Sequence, residues 1–261
     1  MDFLKKISEN PYQDLYWNIP EEQKRGTVAV IGGNGENFHT VVKTAEFLTN
    51  TFPLKEVKAV LPDGLESKLP KLPNLVFLKT TEAGSFSDAE EIKAVINSND
   101  FTLMVGDLSK NTVTKEAVST AFFASDKPLF LTRDVVDLVA EVQTERILMR
   151  GNLTIFGSIV QWQKLFKSVY YPKILMASQS LIQVAEAFHK FTLSYPVQTL
   201  ALHDGQILIS KNGKVVVVPL EKTGYLPLTV WTGELAAKVI ALNLFNPDKF
   251  VEATVAALFF R

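Results

Sequence analysis

The run Thr27-Val-Ala-Val-Ile-Gly-Gly33 constrains the fold more than any other stretch of the chain. It is apolar, short and closed by glycines, so it reads as a strand buried on both faces. Asn34-Gly35 and a helical pattern from about Phe38 to Thr51 follow it. A strand, a glycine turn and a helix open a βαβ unit, whose crossover returns the chain to a parallel neighbour.

The alternation recurs. Val57 to Leu61 reads as a strand closed by Pro62-Asp63-Gly64, and Leu75 to Leu78 as another. A helix is expected over Asp88 to Asn97 with Ser87 as N-cap, then a strand over Phe101 to Val105 ending at Gly106-Asp107. Val113 to Ser125 reads as helical. A short strand over Leu129 to Leu131 carries Thr132-Arg133-Asp134 at its carboxyl end, and Val135 to Val142 continues as a helix. Ile147 to Met149 is expected to be the next strand, with Gly151-Asn152 as its turn and a helix running through Trp162 to Phe166. Ser180 to Phe191 has apolar residues at helical spacing. Thr199 to Leu202, Ile207 to Ser210 and Val215 to Val218 read as strands joined by Asp204-Gly205 and Asn212-Gly213, both strong hairpin signals. A last helix is expected from Asn246-Pro247-Asp248, with Asn246 as N-cap.

This order implies an α/β fold: three layers around a mostly parallel, doubly wound sheet that ends in antiparallel strands. Residues 1–25 read as an N-terminal arm, and 26–261 as a single domain. Ligands of such sheets sit outside the carboxyl ends of the strands. The turns at Gly32–Asn37, Gly106–Ser109, Thr132–Asp134 and Gly151–Asn152 are therefore expected to face one crevice.

A net charge of −1 gives no electrostatic case for nucleic acid or an acidic membrane surface. The absence of cysteine excludes disulfides and thiolate nucleophiles. The N-terminus offers no apolar run for a signal peptide, so a soluble cytoplasmic protein is expected. His39, His189 and His203 are scattered and lack metal-ligand spacing, and no metal site is read.

Candidate site residues each carry two readings. Gly33-Asn34-Gly35 is a tight turn or a fragment of a phosphate-binding turn. Asp107 and Asp134 are strand-end carboxylates that bind a hydroxyl or magnesium, or cap the next helix. Thr232-Gly233-Glu234 joins a loop to an apolar helix. There Thr232 caps and Glu234 complements the dipole, or the helix start holds an anion and Glu234 takes a proton from a hydroxyl beside it.

Taken in order, these stretches resemble the ribokinase-like superfold, and most closely the ADP/ATP-dependent NAD(P)H-hydrate dehydratases. Arg25-Gly26-Thr-Val-Ala-Val-Ile-Gly-Gly-Asn34 is similar to that family's first strand and glycine turn. Leu103-Met-Val-Gly106-Asp-Leu108 is similar to its Gly-Pro-Gly-Leu-Gly strand end, and Pro128 to Val136 to its Leu-Asp-Ala-Asp-Ala-Leu segment. Leu202-His203-Asp204 falls where the family has Leu-Lys-Gly. The resemblance implies that Glu234 is the catalytic base, that Thr229, Thr232, Gly233 and His203 bind phosphate or nucleotide, and that Gly33, Asn34, Asp107 and Asp134 bind substrate. It implies ATP or ADP with Mg2+ as cofactor, hydrated NAD(P)H or another small molecule as substrate, and a homo-oligomer. Val230 and Trp231 stand where the family has glycines, which leaves open a non-catalytic relative that binds a ligand or a partner.

Overall fold

The computed structural model describes residues 2–70, 72–109 and 111–260. Ten strands form one sheet: β1 (Leu4–Lys6), β2 (Thr27–Gly32), β3 (Glu56–Pro62), β4 (Leu75–Leu78), β5 (Phe101–Gly106), β6 (Leu129–Thr132), β7 (Leu153–Ser158), β8 (Gln198–His203), β9 (Gln206–Lys211) and β10 (Lys214–Pro219). Their spatial order is β1-β10-β9-β8-β7-β6-β5-β2-β3-β4. Pairing is parallel from β4 through β8, antiparallel across β8, β9 and β10, and parallel again where β1 joins β10. The expected class is therefore observed: a mostly parallel sheet finishing in a meander. Asp204-Gly205 and Asn212-Gly213 turn its hairpins with positive φ at all four residues, the conformation a type I′ turn demands.

Alternate strand residues face opposite layers. Ala29, Ile31 and Met104 pack with α2 (Ala89–Asn97), α3 (Thr112–Phe123), α4 (Asp134–Glu141), α5 (Thr144–Leu148), α6 (Ile159–Ser168) and α7 (Leu181–Ser194). Val28, Val30, Leu103 and Val105 pack with α1 (His39–Thr51), α8 (Glu234–Phe245) and α9 (Phe250–Phe259). Helix α8 is buried nearly all round, from Leu235 to Asn243. That explains why its sequence is apolar on every face rather than on one stripe.

Several local expectations are corrected. Ile147–Met149 is not a strand: Thr144–Leu148 is helical, and the strand is Leu153–Ser158. Gly151-Asn152 consequently lies at the amino end of β7, where the Asn152 carbonyl accepts from Leu129 N–H, and not at the crevice. Asp88, not Ser87, caps α2, its carboxylate accepting from the amides of Glu90 and Glu91. Asn246 closes α8 rather than starting α9: its amide donates to the Leu242 carbonyl at 2.9 Å. The N-terminal arm includes an edge strand of the sheet, because Leu4–Lys6 pair with Val215–Val217.

Candidate functional site

The strand order reverses between β2 and β5. From β2 the chain runs outward to β3 and β4, then returns to β5 on the other side of β2 and proceeds to β8. In open α/β sheets a ligand crevice forms at such a switch. Here the two strand ends are joined by direct backbone contact. Gly33 N–H donates to the Gly106 carbonyl at 2.9 Å, and the side chain of Asn34 adds a bond from its Nδ2 to the Asp107 carbonyl at 2.9 Å. Asn34 Oδ1 accepts from the amides of Glu36 and Asn37, which fixes the turn itself.

Asp107 and Asp134 meet at this point. Asp107 N–H donates to Asp134 Oδ1 at 2.7 Å. Between them lies a residue that local pattern did not single out. Arg133 donates to Asp107 Oδ1 at 2.7 Å and to Thr40 Oγ1 of α1 at 2.8 Å. Asp107 and Arg133 both adopt left-handed φ, 57° and 58°, a conformation costly for residues with a β-carbon and typically retained where surroundings enforce it. Gln161 of α6 supplies part of that enforcement, donating to the Arg133 carbonyl at 2.6 Å and to Asp137 Oδ2 at 3.0 Å.

Burial raises the Asp134 carboxyl above its ordinary pKa. The Asp107 amide pulls it back, the Asp107 carboxylate adds to the rise, and Arg133 opposes it. A carboxyl with a raised folded pKa supplies stability below its unfolded pKa that is lost as pH climbs through the folded value. Asp134→Asn keeps an acceptor for Asp107 N–H and removes the charge. Melting curves from pH 3 to 8 should therefore show variant and parent close together in acid, with the variant gaining as pH rises.

Beyond the strand ends, a polar crevice of about 650 Å3 opens beside Asn34, Gly35, Gly64, Lys68, Glu82 and Ser85. A β-carbon on Gly35 or Gly64 would meet nothing within 4 Å. Ser85 is 2% exposed, and its hydroxyl has no hydrogen-bond partner among the described residues.

The start of α8 forms a second group. Gly233, not Thr232, occupies the N-cap, at φ 97°. A side chain there would collide with Thr44 Oγ1 of α1. No side chain caps this helix, and among the described residues none accepts from the amides of Glu234, Leu235 or Ala236. Thr229 and Thr232 are occupied locally: Thr229 Oγ1 accepts from Leu226 N–H at 2.8 Å, and Thr232 Oγ1 donates to the Thr229 carbonyl at 2.9 Å. Val230 is buried, and Trp231 packs against the core beneath α8.

Glu234 is half exposed and pairs with Lys238 one turn on, at 3.0 Å. Lys238 itself is 8% exposed. Its ammonium also donates to the Phe260 carbonyl at 3.0 Å and lies over the rings of Tyr225 and Phe47. Burial, reinforced by the Glu234 charge, pushes the Tyr225 phenol up, and its hydroxyl has no partner among the described residues.

Helix α1 links the two groups. Thr40 holds Arg133 and Thr44 touches Gly233, and residues four apart on a helix are neighbours on one face. The structure thus brings Gly33, Asn34, Asp107 and Asp134 into direct contact. It places Gly233, at the start of α8, about one helical turn away along α1, with Thr229, Thr232 and Glu234 adjoining it in sequence. His203 stands apart, buried at the end of β8, its Nε2 bonded to the Gln179 carbonyl at 2.8 Å.

No protein-family model matches the chain, and no curated protein matches it by sequence. Solved structures do match. A hypothetical protein from Streptococcus mutans aligns with a TM-score of 0.67 at 16% identity, covering 97% of this chain and 88% of its own. A ribokinase-like superfamily protein from Enterococcus faecalis aligns with a TM-score of 0.67 at 15% identity, covering 99% and 86%. The fold is ribokinase-like. The ADP/ATP-dependent NAD(P)H-hydrate dehydratase of Bacillus subtilis, co-crystallised with ATP/Mg2+, shares this ribokinase-like architecture with a TM-score of 0.60 at 13% identity, covering 97% and 86%. The resemblance in sequence order thus extends to the three-dimensional arrangement.

Proposed function

We propose that this chain is a nucleotide-dependent enzyme acting on a small molecule, a divergent NAD(P)H-hydrate dehydratase or a related small-molecule kinase. One observation carries the reading. The uncapped first turn of α8 presents backbone N–H donors beside a carboxylate, about one turn of α1 from Arg133. The amides of Glu234, Leu235 and Ala236 suit an anionic group, because Gly233 carries no β-carbon and the helix dipole favours negative charge there. ATP or ADP with Mg2+ would supply the phosphoryl group. Mg2+ commonly relies on one or two carboxylates plus phosphates, and no cluster of three ligating side chains exists among the described residues. Glu234 takes a proton from the substrate hydroxyl, and the α8 amides hold the charge that develops beside it. Asn34 and the Arg133–Asp107 pair orient the substrate in the crevice.

A second reading is favoured by a specific contact. Lys238 engages Glu234, and Val230 and Trp231 fill the loop where close phosphate approach favours glycine. A non-catalytic ligand-binding member of the superfold would tolerate both. Melting curves with ATP, ADP and NADPH, with and without Mg2+, separate these readings from no binding at all. A ligand at a hundredfold excess over Kd adds about 2.7 kcal/mol, and no upward shift at millimolar ligand would sink both. Nucleotide-dependent loss of hydrated NADPH that disappears in Glu234→Gln would support the enzyme; binding without turnover would leave the ligand-binding protein. The expected homo-oligomer is checked in the same samples by sedimentation.

A further inference from the structure

On the sheet face opposite α8, helix α6 ends in a left-handed cap. Tyr170 N–H donates to the Lys167 carbonyl at 3.1 Å, and Tyr171 N–H to the Phe166 carbonyl at 2.8 Å. This Schellman pattern places its C′ residue at positive φ, where glycine is the usual occupant. Here it is Tyr170, at φ 49°, with 94% of its surface exposed. The strain of a β-carbon in that conformation is not offset by burial of the ring.

The loop after Tyr170 is braced by side-chain hydrogen bonds. Gln163 donates to the Leu175 carbonyl, Met176 N–H to Gln179 Oε1 at 2.9 Å, and Gln179 Nε2 to the Ile174 carbonyl at 3.0 Å. His203 anchors Gln179 from the end of β8. Leu175 is fully buried, whereas Ile174 is 73% exposed. Phe166, Tyr170, Tyr171, Ile174, Leu175 and Met176 line a preformed apolar concavity of about 500 Å3, within the size range of small-molecule pockets. Its rim is basic. Among the described residues, Lys167 is exposed with no ion-pair partner and Lys173 pairs only with Glu186, at 3.8 Å. A second copy packed here about a two-fold axis would bring two basic rims together. The complementary occupant is apolar along its length and negative at one end.

We propose that this pocket binds a medium-chain carboxylate amphiphile, with its alkyl chain against Phe166, Ile174 and Met176 and its carboxylate at Lys167 and Lys173. The site is independent of Glu234 and of the α8 reading. It is tested by calorimetric titration of the full chain with dodecanoate below micelle formation, with dodecyl maltoside and dodecyltrimethylammonium as head-group controls. Methyl NMR of Met176 provides the location, and exposed Met149 serves as an internal reference. The expected result is saturable one-to-one binding of dodecanoate that moves the Met176 methyl and leaves Met149 still. Ile174→Asp abolishes it. Lys167→Glu with Lys173→Glu weakens it about five- to tenfold, the size expected for two rim charges. Tyr170→Gly weakens it while leaving the melting temperature equal or higher. Absence of saturable binding, indifference to the head group, binding only to anionic vesicles, or a ligand-free dimer that shields Met176 would each overturn the proposal.

Discussion

Gly106→Ala is expected to lower the free energy of unfolding by about 3–6 kcal/mol. The added β-carbon falls inside the van der Waals envelope of Asp134 Oδ1 and 2.9 Å from Arg133 Cβ. Three terms build the figure. A β-carbon at φ 85° costs about 1–2 kcal/mol, forced overpacking about 1–3 kcal/mol, and loss of the Asp107–Asp134 hydrogen bond about 1 kcal/mol. The neighbours have little freedom to retreat, since Gln161 and Thr40 pin Arg133 and its carbonyl. Urea denaturation measures the effect directly. Gly151→Ala is the matched control: its β-carbon meets nothing within 4 Å, so a change within about 0.5 kcal/mol is expected. Equal stabilities for the two variants would show that the strand-end contacts at Gly106 are loose.

The second large effect is an asymmetry. Glu234→Gln is expected to destabilise the chain by about 1–2 kcal/mol, below the range for breaking a fully buried pair because the carboxylate is half exposed. The change leaves the buried Lys238 ammonium without its counter-charge. Lys238→Met removes the charge that is costly to bury and keeps most of the volume, so it is expected to cost less than Glu234→Gln or to stabilise. The double variant should recover most of the loss. A thermodynamic cycle across the four proteins reads the coupling. It also guards the activity assay, because turnover lost in Glu234→Gln is informative only at temperatures where that variant is folded. If the two single variants lose equal stability, the ammonium is better solvated than its surroundings imply.

Much of the architecture was legible because strand ends and turns carry their own chemistry. Gly106-Asp107 and Asp204-Gly205 sit where the backbone takes positive φ, and the apolar runs before them are strands. Ile147–Met149 is helical at its start and not a strand; three apolar residues fit a helix turn and a buried strand equally well. Gly151-Asn152 lies away from the crevice as a result, since it precedes the true strand, Leu153–Ser158, instead of following it. The candidate site was only partly legible. Gly33, Asn34, Asp107 and Asp134 lie together at the strand ends, and Arg133 joins them without a local sequence signal. Its role depends on a left-handed backbone and on partners drawn from α1, β5 and α6, none of them local in sequence. Lys238 did leave a signal: it lies four residues after Glu234, the spacing of a helical ion pair. Its burial depends on Phe47, Tyr225 and the Phe260 carbonyl, which only the fold brings together.

The parallel pairing of Leu4–Lys6 with Val215–Val217 has a consequence for synthesis. The partner strand is translated more than two hundred residues later, so Leu4–Lys6 leaves the ribosome long before the strand it docks on exists. Tyr16 is in the same position, donating to the Ala256 carbonyl at 2.8 Å, as is Asn18, which meets Asn246. Loop closures this long slow assembly. Until they form, β10 presents an unpaired edge and α9 an uncovered apolar flank. A bulky N-terminal fusion should therefore affect refolding yield more than a C-terminal one placed after a short linker.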